Sequence, residues 1–543
     1  VSSKENLYPH KLIHAVEKYS EHPTHTIVGK SRYLGKAMGI GLKMLYDAMD
    51  TRKYFGKLIW HYDPDNIINM AVPGNTSGGL RAGTNRIYNS TAGDTKIKVL
   101  VTPNCVKQDQ ELICKRRLMY YIDKIQKNIV NDRDPMHKVK FQERACAISV
   151  KSEIFNNVST DPEKRQKHYN KAREFFIPHF VQYLLSDTVQ SCRLKIERGK
   201  ILKIGFRAWH GGSLDLYNQM RGDNPNACVC DGDFKGLDTS VAKGLIEIFN
   251  AGAVVYLNKL KSDMDLYQSL LNLDTNLVSV KIVHVAGTEW KIVIGKVPSG
   301  AKITSHGDSW IVAFLGYCYA AHLTLKFPYR AKAIWTAYWA GDLGIFTYGD
   351  DHILHVLRHL LDIYNETGFA EFVYQNFGMI IRNIRNDIPI LSVPDGHGNL
   401  CVEGVVFLKR YLIARPAALP AHLPKVLPYK KLDDALVKIA CGNRERESPA
   451  DIAMAAIGLA YDSMGTNLVY YRMCAELYDF GMTAGNFRTQ EDLVMSYESL
   501  LGENKDIQRI ARKCGIEIKV LLTGFPLLES LWEMHTYDEN YIR

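Results

Sequence analysis

The sequence predicts an α+β protein with a strand-rich centre, a mixed N-terminal part and a helical C-terminal part. Three observations carry that expectation. Short apolar runs end on acidic turns at residues 227–231 and around Gly349-Asp350, the pattern of strands closed by tight turns. One apolar run, 310–325, is long enough for a buried helix but too short to span a bilayer. From Leu432 onward the patterns are mostly helical. Hydrophobic residues make up 46% of the 543 and charged residues 23%, which excludes disorder as the main state and allows several lobes. Lys plus Arg is 68 and Asp plus Glu 58, a net charge of +10. That mild excess fits a protein that handles a polyanion in one channel.

Along the chain, residues 10–19 have helical spacing, with Leu12, Ile13, Val16 and Tyr19 on one side. Residues 73–81 are a loop of small and turn-forming residues. Residues 111–130 read as a long basic amphipathic helix. Residues 175–185 read as another helix, with Pro178 tolerable only in the first turn. Strand 227–231 is followed by a turn and a helix over 241–257, then by a strand pair at 279–286 and 288–294. A Pro-Ser-Gly turn leads into the buried helix, with Ser305 or Thr304 as the expected cap. Two strand-like pieces, 345–348 and 352–354, flank Gly349-Asp350.

Eleven cysteines have no regular spacing. Cys228 and Cys230 could share one face of a strand, but no second pair or histidine lies at zinc-ligand spacing, so free buried thiols are expected. The first residues have no signal-peptide core. The chain starts at Val1, so a cleaved product or a trimmed chain is expected. The Asn-x-Ser/Thr triplets at Asn75, Asn89, Asn157 and Asn365 carry little meaning without a secretory signal. Gly29-Lys30-Ser31 hints at a P-loop, but Thr24 stands where its leading glycine belongs.

Three segments carry candidate chemistry. Tyr348-Gly349-Asp350-Asp351 places two adjacent carboxylates at a tight turn. Crowding them is costly unless a cation compensates, and magnesium suits carboxylate oxygens while leaving positions for water and phosphate. Upstream, Asp233 and Asp238 can face one cleft if the first ends a strand and the second begins a helix. A calcium loop counted from Asp231 fails, because its fifth position is Lys235 and its twelfth Ala242. The third segment, residues 298–309, is a small-residue loop feeding the buried helix that lets backbone approach a ligand.

Taken together, these segments resemble motifs A, B and C of viral RNA-dependent RNA polymerases of the picornavirus-like kind. Motif A is matched by Asp233 and Asp238, motif B by Ser299, Gly300, Thr304 and Ser309, and motif C by Gly349, Asp350 and Asp351. Phe407-Leu408-Lys409-Arg410 looks like motif E. Val150-Lys151-Ser152-Glu153 and Lys171-Ala172-Arg173 look like the ends of motif F, and Thr76-Ser77-Gly78-Gly79 like motif G. The order is the standard, non-permuted one, and the resemblance covers roughly residues 151–410.

The resemblance implies a closed right hand. Fingers with a bridge to the thumb would span 1–219, palm 220–257 and 298–411, a fingers insertion 258–297 and a helical thumb 412–543. It implies template-directed RNA synthesis for a viral genome. Asp233 and Asp350 would be the principal ligands of two magnesium ions, with Asp351 assisting and manganese accepted in their place. Lys151, Lys171 and Arg173 would neutralise the triphosphate, with Ser299, Gly300, Thr304 and Asp308 lining the nucleotide site. Asp238 would sit beside the ribose 2′-hydroxyl. Phe407, Leu408, Lys409 and Arg410 would grip the primer, and Ser77 and Gly78 would touch the RNA. The implied partners are template and product RNA, nucleoside triphosphates and other viral replication or capsid proteins. The implied location is the host cytoplasm, in a replication complex or inside a particle.

Two departures stand out. Asp308 replaces the family asparagine, so either the sugar donates to it, or it is protonated, or another group senses the sugar. Between Asp351 and Phe407 there is no lysine to serve as motif D's general acid; Arg382 and Arg385 lie there, with His352, His355, His359 and His397 as other candidates. Two alternatives remain. A reverse transcriptase would place a bulky aromatic where Asp238 stands. A non-catalytic RNA-binding protein on a degenerate polymerase fold would explain the missing lysine but not the retained aspartates.

Overall fold

The computed structural model describes residues 33–70, 107–127, 139, 144–151, 173–285, 289–298, 300–440, 448–501 and 523–536. The expected helix at 10–19, the loop at 73–81 with Ser77 and Gly78, and residues Lys171 and Ser299 lie outside them.

A helix at the centre organises the rest. Helix α7 (Thr304–Lys326) follows α1 (Leu34–Ala48), α2 (Lys107–Lys127), α3 (Phe180–Glu197), α4 (Leu237–Ser240), α5 (Lys243–Ala251) and α6 (Met264–Ser279). Residues 306–321 of α7 are all buried. A helix apolar on every side is buried on every side, and the sequence run at 310–325 is that helix. Helix α1, strand β6 (Gly344–Tyr348), α8 (Pro328–Ala340) and α9 (Glu366–Phe377) pack around it. No side chain caps its start. Thr304, an expected cap, instead donates through Oγ1 to the carbonyls of Pro298 (2.6 Å) and Ala301 (2.9 Å), stitching the preceding loop.

One four-stranded sheet has the order β6, β7 (Asp351–Leu357), β3 (Ala227–Phe234), β8 (Ile381–Ile388). All three pairings are antiparallel. Cys228 and Cys230 lie on β3 as buried free thiols, as expected. A second sheet has the order β2 (Arg173–Ile177), β1 (Ala145–Lys151), β4 (Val280–Val285), β5 (Glu289–Ile294). Its β4–β5 hairpin is the strand pair read at 279–294. The helix read at 175–185 is corrected. Phe175 to Ile177 belong to β2, and α3 begins at Phe180, capped by the His179 ring. A proline disfavours helix in the residue before it, so Pro178 separates strand from helix rather than sitting in a first turn.

Helices α2, α3 and α6 enclose a second core around Ile122, Leu184 and Leu270. Between the two cores lies a buried polar junction. Glu197 accepts from Arg193 Nε (2.8 Å) and from the Tyr256 hydroxyl (2.8 Å), and pairs with His306 Nε2 (2.7 Å). Arg193 lies over the Phe249 and Trp310 rings. This junction ties α3 to the first turn of α7.

The C-terminal part opens with a three-stranded sheet, β9 (Val406–Phe407), β10 (Arg410–Ala414) and β11 (Val426–Tyr429). Helices α10 (Leu432–Ala440), α11 (Pro449–Ser463), α12 (Leu468–Ala484) and α13 (Gln490–Leu501) follow, as the pattern from Leu432 suggested. Asp462 of α11 pairs with Arg410 and Lys430 and joins sheet to helices. Among the described residues no helix is long and apolar enough to cross a membrane.

The α3–α6 contact holds a testable group. Asp274 is buried beside the Ser186 hydroxyl, and burial pushes its carboxyl up to about 7. Between the unfolded value near 4 and about 7 the native state holds the extra proton, so stability falls as pH rises through that window. The gap bounds the effect at about 4 kcal/mol. Asp274→Asn should flatten that slope and melt higher than the parent at pH 8, measured by thermal denaturation at a series of pH values.

Candidate functional site

Strand β3 carries Asp231 and Asp233 on one face, because side chains two apart on a strand point the same way. Its register sets Asp233 opposite Asp351, the first residue of β7. Asp350 occupies the β6–β7 turn just before it. That turn needs Gly349, whose φ of +63° lies in the left-handed region. Helix α7 holds the turn from below. The Gly349 N–H donates to Ser309 Oγ (2.8 Å), and Thr347 Oγ1 donates to the Ser309 carbonyl (2.9 Å). Ser309, matched to motif B from sequence, thus braces the Gly-Asp-Asp turn.

The carboxylates crowd one another. Partial burial, then the Asp350 and Asp233 charges, push the Asp351 carboxyl up to about 6, although the residue keeps contact with solvent. Asp308 is buried in the second turn of α7, and its Oδ1 has no hydrogen-bond partner among the described residues. Burial, then the Asp238 and Asp350 charges, raise its carboxyl well above the ordinary range. Asp238 lies in the first turn of α4. A strand end and the start of the next helix therefore bring Asp233 and Asp238 to one region, as the sequence suggested.

Cations answer this charge from β8 and from the β9–β10 hairpin. Arg382 donates to Asp233 Oδ2 (3.0 Å), both side chains 46% exposed. Arg385 holds Asp231 with two bonds, Nε to Oδ1 at 2.8 Å and Nη2 to Oδ2 at 2.5 Å. The two arginines that sequence left equivalent are thus distinct: Arg385 is committed to a buried partner, whereas Arg382 sits on the exposed carboxylate. The Lys409 charge reaches Asp351 and partly offsets its rise.

The remaining candidates divide. Gly300 donates its N–H to the Phe176 carbonyl (3.0 Å), which ties the small-residue loop to β2. Lys151 and Arg173 are register partners at the end of the β1–β2 hairpin. The structure shows how Phe407 to Arg410, expected to grip the primer, are packed. Phe407 is buried in the core against Phe206, Leu408 packs on that core, and Arg410 is paired with Asp462. Leu408 and Lys409 form the hairpin turn with φ of 51° and 60°, the mirror-image turn that suits strand twist. Only Lys409 of the four is left exposed. The physical reason is that an apolar pair beside the main sheet is better buried than presented to a polyanion. Sequence reasoning missed Asp231 as the anchor of Arg385, although its spacing two before Asp233 was legible.

Asp233, Asp350 and Asp351 offer hard oxygen donors from adjacent strands, the chemistry that suits magnesium or manganese. Among the described residues no three acidic, histidine or cysteine side chains are already gathered at metal-holding distance. Arg382 occupies one Asp233 oxygen. The donor types fit a divalent cation, and burial together with the neighbouring Asp350 and Asp233 charges raises the Asp351 carboxyl.

The two arginines give a stability test. A surface pair is worth about 0–1 kcal/mol, whereas removing one partner of a buried pair strands the other's charge. Arg382→Ala should therefore cost at most about 1 kcal/mol. Arg385→Ala, which leaves the buried Asp231 uncompensated, should cost about 2–4 kcal/mol, discounted because Arg385 is one-third exposed. Urea denaturation of both variants checks the order.

No family model and no curated protein sequence matches this chain. Its structure is similar to the Sicinivirus 3Dpol RNA-dependent RNA polymerase, with a TM-score of 0.52 and 12% identity over 87% of this chain and 85% of that one. An identity that low speaks for the backbone alone, and the match runs over most of both chains. This chain has the α+β fold of a picornavirus-like viral RNA-dependent RNA polymerase.

Proposed function

We propose that the chain is an RNA-dependent RNA polymerase that copies a viral RNA genome by nucleotidyl transfer from nucleoside triphosphates. The observation that carries this reading is the register of Asp233 against Asp351 beside the Gly349-Asp350 turn, on a fold shared with such an enzyme. In this reading the sheet of β3, β6, β7 and β8 with α7 is the palm (residues 220–257 and 298–411). Residues 1–219 and 258–297 are fingers, and 412–543 the thumb.

Asp233 and Asp350 would hold magnesium, with Asp351 assisting, and manganese would serve in its place. When bound, the metal would supply charge neutralisation and activation of the attacking hydroxyl. Lys151, Lys171 and Arg173 would face the triphosphate. Arg382 would pass from Asp233 to the leaving pyrophosphate as a fixed positive charge, in place of a lysine acid. Lys409, rather than Phe407, would touch the primer backbone. Asp308 would act as a neutral carboxylic acid and donate to the ribose 2′-hydroxyl, with Asp238 beside it. The raised Asp308 carboxyl supports that choice among the three left open by sequence. Template and product RNA, nucleotides and other viral replication or capsid proteins would be its partners, in a host cytoplasmic replication complex or inside a particle.

The deciding experiment is nucleotide incorporation on a primed RNA template with magnesium. Asp233→Asn and Asp350→Asn should each abolish synthesis while leaving RNA binding largely intact, because backbone contacts dominate affinity. Retained turnover in either variant would remove the metal assignment, and an inactive parent that still binds RNA would favour a non-catalytic role.

Sugar choice gives a second test. If neutral Asp308 donates to the 2′-hydroxyl, Asp308→Asn keeps a donor and should hold the preference for ribonucleotides, while Asp308→Ala should lower it about tenfold. The sign with pH follows. The raised carboxyl loses its proton as pH rises, so the parent's preference should fall at alkaline pH and that of Asp308→Asn should not. The ratio of specificity constants for paired ribo- and deoxynucleotides, taken across pH, measures both.

A further inference from the structure

One imidazole links the Gly-Asp-Asp turn to a helix beneath the sheet. His352 Nδ1 lies 3.3 Å from the Asp350 carbonyl oxygen, and Nε2 lies 2.8 Å from Glu366 Oε1. Both side chains have 0% exposure. A backbone carbonyl only accepts, so Nδ1 donates to Asp350, while Nε2 and the Glu366 carboxyl share the second hydrogen bond. Phe234 and Phe369 stand edge-on to the ring at 5.3 and 5.7 Å and fix its plane.

The anchor of the ring is itself held. Glu366 opens α9, and its backbone N–H donates to Asn386 Oδ1 on β8 (2.8 Å). The opposite wall is Gly232, between Asp231 and Asp233 on β3. A Cβ there would lie 2.7 Å from Glu366 Oε1 and 2.6 Å from Ile381 Cγ2. The absence of a side chain at Gly232 is what lets the carboxylate reach the ring. Elements β3, β7, β8 and α9 thus meet at one buried pair directly under the acidic cluster.

We propose that His352 is a positioning residue. By holding the Asp350 carbonyl it fixes the turn and so the direction of the Asp350 and Asp351 carboxylates, and Glu366 holds His352 in place from α9. What those carboxylates do rests on the polymerase reading above; that they are held for a divalent cation is the part tested directly.

The test compares the parent with His352→Phe, which keeps a ring in the same packing but removes both hydrogen bonds. Manganese binding to the protein alone, followed by electron paramagnetic resonance, reads the site without turnover. We expect His352→Phe to fold but to melt below the parent, because it strands the buried Glu366, and to bind RNA normally and manganese more weakly. In single-turnover incorporation it should lower kcat by about ten- to a hundredfold with KM for the nucleotide little changed, the loss expected when reacting groups are misplaced. Parent-like manganese affinity in a folded His352→Phe overturns the proposal. Should that variant fail to fold, Glu366→Ala and Glu366→Gln decide. Gln still accepts from Nε2 and should stay near the parent, whereas Ala should weaken manganese binding. Equal affinities in the two overturn it. A parent that binds manganese but extends no primer would fail the polymerase reading and leave this comparison intact.

Discussion

Like charge crowded at one end of a four-stranded sheet is the constraint on which the surrounding structure depends. Asp231, Asp233, Asp308, Asp350 and Asp351 converge there with Asp238 close by. Their mutual repulsion in a partly dry setting would oppose folding unless cations faced them. The structure places such cations on every side it can. Arg382 and Arg385 come from β8, His352 from within β7, and Lys409 from the β9–β10 turn. Where burial and like charge outweigh the cations, the carboxyl is pushed up, as at Asp308 and Asp351.

Helix α7 supplies the rigidity this arrangement needs. Because it is buried on every side, its position is over-determined by α1, α8, α9 and β6. Ser309 and Asp308 are adjacent on it. One braces the Gly349 turn and the other stands among the acids. The junction of Arg193, Glu197, Tyr256 and His306 fixes the start of the same helix to α3. Removing one member would strand buried charge, which makes the junction a strong determinant of where α7 sits relative to α3.

Much of this was legible along the chain because it is local. A strand closing on an acidic turn, a run of apolar residues with no polar face, and a glycine before two aspartates each announce themselves within a few residues. So did the i, i+2 faces of β3, which place Cys228 with Cys230 and Asp231 with Asp233. The misreading at residues 175–185 arose where a strand and a helix abut across Pro178 and periodicity alone could not mark the join. Phe407 was read as a contact residue because its motif was legible, but its burial against Phe206 depends on a segment two hundred positions away.

What the sequence determined by itself is therefore the inventory and its local geometry: which acids lie on which turn, which run must be buried, and the absence of a lysine between Asp351 and Phe407. Tertiary structure alone decided the pairings. Nothing within reach of Arg382 or Arg385 along the chain says that one meets Asp233 and the other Asp231, since both partners lie some 150 positions upstream. The same holds for His352 between Asp350 and Glu366, and for the raised carboxyl of Asp308. The physical reason is that charge, unlike periodicity, is read through space. A carboxyl's proton and partner are set by burial and by whichever charges the folded chain brings within a few ångströms, and only the closed sheet brings these together.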